Sequence, residues 1–174
     1  MQIPKGPISI NILKVDMVYR QIQQSDNPHL AKIIRNCFIE FDAPKEGTVY
    51  GDPSTDNLYS EFQMAGSILY VVEESGVILG CGGIYPSGGL EPGCAELVKL
   101  YLTPAARGRG IGRKLLELSM DAARDIGYTS LYIESIPEYS KAVGMYEKAG
   151  FKHLDSPLGN FEHPACNIWM WCAL

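Results

Sequence analysis

Three glycines alternate with larger residues in Arg107-Gly108-Arg109-Gly110-Ile111-Gly112, and Arg113 and Lys114 follow at once. The run joins an apolar, strand-like segment (residues 94–102) to a segment whose apolar positions Ile111, Leu115, Leu118, Ala122 and Ile126 recur at helical spacing. Glycines let a backbone curl until successive N–H groups converge, and the start of a helix adds partial positive charge. With four cations beside it, such a turn is an anion site suited to a pyrophosphate. Two further residues carry side chains that could move protons. Glu96 precedes Arg107 by eleven residues and stands among the apolar Ala95, Leu97 and Val98. Desolvation there should raise its carboxyl toward the range of a general base. Tyr146 shares a helical face with Ala142 and Ala149 and offers a phenol that is neutral at pH 7 and can donate to a forming anion. The structural alternatives are a strand-end glutamate paired with a cation such as Lys99, and a core tyrosine.

These residues must be positioned by an alternation of strands and helices. Residues 10–20 read as a first strand. Asp26 or Asn27 can cap a helix with apolar positions Leu30, Ile33, Ile34, Cys37 and Phe38. Residues 56–65 suggest a short second helix, and 67–73 with 77–85 a hairpin around Glu74-Ser75-Gly76. A strand over 94–102 leads into the glycine turn, and Gly127 stops the long helix after it. Residues 129–134 form a strand and 138–148 a helix, Phe151 begins a further strand, and 165–172 is the last strand, holding both tryptophans. Strands and helices in this order predict one α/β domain over residues 1–174, its sheet part antiparallel and part parallel. The chain of 174 residues is 46% hydrophobic and 20% charged, an ordinary globular composition that excludes a long disordered chain.

Charge and cysteines narrow the function classes. Net charge is −5, the wrong sign for bulk electrostatic binding of nucleic acid. All of that excess sits between residues 40 and 62, where Glu40, Asp42, Glu46, Asp52, Asp56 and Glu61 face Lys45 alone. The stretch reads as a solvated face or as an acidic rim that attracts a cationic substrate. No apolar run reaches the roughly 18 residues of a membrane span, and the first residues lack the apolar block of a signal peptide. A cytoplasmic protein without nucleic-acid or membrane partners is expected. Cys37, Cys81, Cys94, Cys166 and Cys172 are odd in number and unclustered, and His29, His153 and His163 add no ligand spacing, so no metal site is expected.

The glycine turn fails two familiar patterns. A P-loop needs a lysine and a hydroxyl residue after its last glycine, and Gly112 is followed by Arg113-Lys114-Leu115. A dinucleotide fingerprint needs G-x-G-x-x-G, and Arg113 or Leu115 stands where the last glycine belongs. The form Q/R-x-x-G-x-G/A does fit residues 107–112. Here the sequence resembles the GCN5-related N-acetyltransferases, and the second signature of that family, A-x-x-x-Y-x-x-x-G-F, appears as Ala142, Tyr146, Gly150 and Phe151. The likeness covers nearly the whole chain. One departure is Tyr139, at a position where many members carry asparagine.

The resemblance implies a GNAT fold: a mixed, mostly antiparallel twisted sheet flanked by helices, with a splayed central pair of strands. It implies acetyl-CoA as cosubstrate. Its pyrophosphate would lie on Arg107, Gly108, Arg109, Gly110, Ile111, Gly112 and Arg113, and its pantetheine arm would run along the main chain of Leu100, Tyr101 and Leu102. Glu96 then serves as general base for an amine and Tyr146 as general acid for the CoA sulfur. Direct attack is expected, because no Cys/His pair suggests an acetyl-enzyme. The acceptor is read as a small or amino-acid-like amine. Peptide acetylation and a non-catalytic acyl-CoA sensor are the rival readings. Glu134, His163, Phe41 and Tyr50 are candidates for the acceptor pocket, and a homodimer is compatible with the sequence.

Overall fold

In the computed structural model the described residues are 17–160 and 163–174. Seven strands form one sheet: β1 (Met17–Gln21), β2 (Ile68–Glu74), β3 (Val77–Tyr85), β4 (Cys94–Leu102), β5 (Ser130–Ser135), β6 (Lys152–His153) and β7 (Ile168–Ala173). Their order across the sheet is β1-β2-β3-β4-β5-β7-β6. All neighbours are antiparallel except β4 and β5, which run parallel. This is the mixed α/β sheet that the order of elements predicts. Residues 10–16 of the expected first strand lie outside the described residues.

Helices cover both faces. Helix α1 (Asn27–Glu40) buries Leu30, Ala31, Ile33, Ile34, Cys37 and Phe38. It packs with Val71, Cys81 and Ile136 on one side of the sheet. The short helix α2 (Leu58–Glu61) follows a 3-10 turn over Pro53–Asp56, so the helix expected over 56–65 is one turn long. On the other side, α3 (Ile111–Ile126) and α4 (Ser140–Lys148) enclose Ile84, Leu97, Leu131, Ile133 and Met170. Gly127 ends α3 at φ 104°, and its amide reaches the Ala123 carbonyl at 3.1 Å.

The start of α1 departs from expectation. The Asp26 side chain does not cap α1, because its two oxygens accept from Arg20 at 2.7 and 3.0 Å, and one also takes the Gln23 amide, closing the capping box of the 3-10 turn Gln24–Asp26. Asn27 instead accepts the Tyr59 amide at 2.8 Å, tying α1 to α2. β6 is only two residues long, paired with Trp171 and Met170, while Phe151 is buried against Tyr146 rather than in a strand.

One irregularity shapes the middle of the sheet. From Cys94 to Glu96, β4 pairs with β5, and beyond Glu96 the two strands separate. β4 stays on β3 and β5 stays on β7. Across β3, Cys81 faces Tyr101 but Gly83 faces Val98, so β4 holds one extra residue between them. Lys99 absorbs it at φ 57°, a left-handed conformation rare outside glycine. A Cβ on Gly80 would lie 2.3 Å from the Tyr101 carbonyl, and one on Gly82 would lie 2.5 Å from a Leu100 methyl. The glycine-rich run 80–83 therefore serves close approach of β3 to β4.

Candidate functional site

The separation of β4 from β5 opens a cleft of about 530 Å³. Its walls are residues 97–102 of β4, Ile133–Ile136 after the split, and Ala142, Met145 and Tyr146 of α4. Glu96 stands at the vertex where pairing stops. Gly108, Gly110, Gly112 and Arg113 reach the far end.

That far end has the shape its glycines predict. Gly108 and Gly110 take φ 73° and 79°, and Gly110 is the N-cap of α3. The first ladder bond runs from the Lys114 amide to the Gly110 carbonyl at 3.0 Å, which leaves the first-turn amides pointing outward. A Cβ on Gly112 would crowd Leu102 and Met145 at 3.3 and 3.7 Å. Ile111 turns inward, buried among Val72, Leu79 and Leu115.

The arginines beside the turn are already engaged. Arg107 donates to both Glu40 oxygens at 2.6 and 2.8 Å and to the Leu102 carbonyl at 2.9 Å, and it lies 4.8 Å over the Phe41 ring. Arg109 pairs with Glu74, and Arg113 pairs with Glu117 one turn along α3. Part of the acidic stretch is thus internal neutralisation: Glu40 meets Arg107, and Asp56 meets Arg35 at 2.6 Å.

Tyr146 lies on the cleft wall and is otherwise buried. Burial alone raises its phenol well above the ordinary value, keeping it protonated at neutral and mildly alkaline pH. Glu96 accepts a hydrogen bond from the Ser87 hydroxyl. Glu134 accepts from the Tyr132 hydroxyl at 2.9 Å, and Tyr132 in turn accepts the Leu158 amide. His163 lines the cleft 3.9 Å from Asp52. Phe41 also lines it, against Tyr139. Tyr50 is not on the wall but packs edge-on to Phe38 under Lys45. Leu100, Tyr101 and Leu102 all reach the cleft, whereas Arg109 and Ile111 do not.

Other cleft residues escape the sequence reading. Lys99, Asp52, Glu61 and Ser87 also line the cleft, brought from a bulge, a loop, α2 and the segment after β3, with Asp52, Glu61 and Glu96 close enough to act on Lys99. A lone charge inside the apolar run Leu97-Val98-Lys99-Leu100-Tyr101-Leu102 is the one signal that could have marked Lys99. Burial pushes the Asp52 carboxyl up, but the Ser54 amide and hydroxyl, with the charges of Lys99 and His163, together outweigh it and hold it below the usual range. Tyr139 contributes a hydroxyl that is buried without a hydrogen-bond partner among the described residues. Cys37 and Cys166 also line the cleft. Burial raises both thiols, that of Cys166 to about 12. All five cysteines are free. Among the described residues, no cluster of His, Cys, Asp or Glu could hold a metal, and no helix is long and apolar enough to cross a membrane.

Comparisons with known proteins agree with this geometry. Residues 30–151 match the acetyltransferase (GNAT) family. The chain is 36% identical over 161 residues to the uncharacterized N-acetyltransferase YjgM of Escherichia coli K12, covering 92% of this chain and 96% of that one. A GNAT-family acetyltransferase from Staphylococcus aureus Mu50 superposes with a TM-score of 0.80 at 18% identity, covering 91% of this chain and 99% of that one. The yncA protein of Salmonella typhimurium, solved with its cofactor acetyl-CoA, superposes with a TM-score of 0.72 at 21% identity over 91% and 94% of the chains. The chain belongs to the GNAT family and is an N-acetyltransferase.

Proposed function

We propose that the chain moves an acetyl group from acetyl-CoA to the primary amine of a small acceptor by direct attack. The observation that carries this reading is the split between β4 and β5, with outward amides at one end, Glu96 at its vertex and Tyr146 on its wall. The residues present fit the cosubstrate. A diphosphate needs converging N–H groups with no side chain in the way, and Gly108 and Gly110 have open space where a Cβ would stand. The unpaired stretch of β4 and the apolar Leu100, Leu102, Ala142 and Met145 suit a pantetheine arm.

Acetyl-CoA supplies an activated acetyl thioester when bound. The amides of residues 108–112 hold its diphosphate, and Arg107 braces that turn against α1 rather than meeting phosphate alone. Glu96 takes the proton that leaves the acceptor nitrogen as the N–C bond forms. The Tyr146 hydroxyl gives a proton to the sulfur as the C–S bond breaks. Tyr146 suits this role because burial keeps its proton on. Direct attack is favoured because Cys37 and Cys166, the thiols on the cleft wall, have raised pKa values and are not ready nucleophiles.

A thiol-release screen with acetyl-CoA across amino acids, polyamines, aminoglycosides and short peptides tests the reading. Turnover with free small amines is expected. Turnover confined to peptides, or acetyl-CoA binding with no release for any amine, would overturn it.

A further inference from the structure

The bulge in β4, beyond the point where it parts from β5, also sets a lysine into the cleft. Lys99 is the inserted residue, and its carbonyl is fixed by the Cys81 thiol at 3.1 Å. The bulge puts this side chain on the cleft with the α1-facing residues Val98 and Tyr101, whereas Leu97 and Leu100 pack toward α3 and α4. Its ammonium feels Asp52, Glu96 and Glu61, all of which line the same end of the cleft. Yet among the described residues no carboxylate oxygen comes within the 4.0 Å of an ion pair with it, although Arg20, Arg35, Arg107 and Arg109 all have such partners. Desolvation lowers its pKa, as befits an ammonium taken from water without full repayment.

We propose that Lys99 binds the carboxylate of the acceptor, so that the substrate is a zwitterionic amino acid or a similar amino carboxylate. This rests on the small-amine reading above and narrows it. An ammonium in the cleft lacking a direct anionic partner is completed by an anion brought from solution. Three surrounding carboxylates limit that anion to a single charge, since a dianionic phosphate would meet Asp52, Glu61 and Glu96 as repulsion. The same carboxylates favour the acceptor's own ammonium and draw it toward Glu96. Lys99 is thus a specificity residue with no part in proton transfer.

The test uses matched pairs, free amino acids and their amides, with wild type and the variants Lys99→Met, Lys99→Gln and Lys99→Arg. Wild type should favour the acid over its amide in kcat/KM. Lys99→Met and Lys99→Gln should shrink that preference by at least about tenfold, mainly through KM for the acid. Lys99→Arg should restore most of it. Comparing the ratio between wild type and variant cancels the difference in amine basicity within each pair. An unchanged ratio in both neutral variants, or a wild type that turns over amides as well as acids, overturns the Lys99 role and leaves the small-amine reading standing. If wild type releases coenzyme A with neither member of any pair but does so with a polyamine or an aminoglycoside, the Lys99 role falls and the small-amine reading stands; if no small amine is turned over, both fall.

Discussion

Tyr146 and Glu96 sit on the same cleft in different electrostatic settings, and substitutions there separate their roles. Tyr146 has no charged neighbour shifting it; burial alone raises its pKa. A general acid works while protonated, so a raised pKa moves the alkaline loss of activity upward. Wild-type kcat should therefore hold past the ordinary phenol value of about 10, as a pH–rate profile will record. Tyr146→Phe should lower kcat by about a hundredfold while isothermal titration finds acetyl-CoA affinity nearly intact. Unchanged turnover would remove its role as acid. Glu96→Gln should depress the rate most at low pH, where the acceptor amine is hardest to deprotonate; a uniform loss across pH would speak against a base there. Both residues could be picked from the sequence as candidates, Tyr146 chiefly by its place in the signature Ala142–Phe151 and Glu96 by its place on the apolar strand leading to the glycine turn, and both line the cleft. Ser87, which donates to Glu96, and Glu40, which holds Arg107, could not. Glu40 and Arg107 lie 67 residues apart, and only the fold brings them together.

At the scale of elements, the positions of α3 and β4 follow from sequence because each has a clear boundary. β4 spans the predicted 94–102, and α3 runs between Gly110 and Gly127. The bulge within β4 has no such mark. An almost wholly apolar strand carries no inside–outside phase, so one inserted residue leaves its pattern unchanged. Yet the bulge presents Lys99, while the β3 glycines let β4 lie close. Gly80→Ala should force β3 away from the Tyr101 carbonyl and cost about 3 kcal/mol in urea unfolding. Near-wild-type stability would mean the strands can shift without loss. Gly110→Ala tests the turn instead. Its Cβ would meet nothing, but φ 79° strains any L side chain by about 1 kcal/mol. Acetyl-CoA affinity should fall about tenfold as the amides turn away, and unaltered affinity would argue against an amide cradle.

Across the whole molecule, a partly buried ionic knot joins β1, β2 and the start of α1. Arg20 meets Asp26 at 2.7 Å and Glu73 at 2.8 Å, and the Asp26 side chain is 3% exposed. Burial pushes the Asp26 carboxyl up, but the Arg20 guanidinium and the Gln23 amide outweigh it and hold it below the ordinary range. Its stabilisation is therefore complete above the unfolded carboxylate value of about 4 and is lost as pH falls through the lower folded value. Asp26→Asn should cost about 2 kcal/mol at pH 7, and the difference from wild type should narrow in acid. A constant gap across pH in denaturant unfolding would contradict the assignment. The sequence foretold the class of this sheet, because the alternation of elements and the two glycine signatures act over short stretches. It did not foretell that part of the acidic segment is consumed internally.

The central claim is that the turn before α3 holds a diphosphate on its main chain and thereby points a thioester into the split between β4 and β5. A crystal structure of the protein with coenzyme A bound tests it most directly. The diphosphate should lie on the amides of residues 108–112 with the sulfur at the Tyr146 hydroxyl. A diphosphate bound elsewhere, or a sulfur directed away from Glu96 and Tyr146, would contradict it.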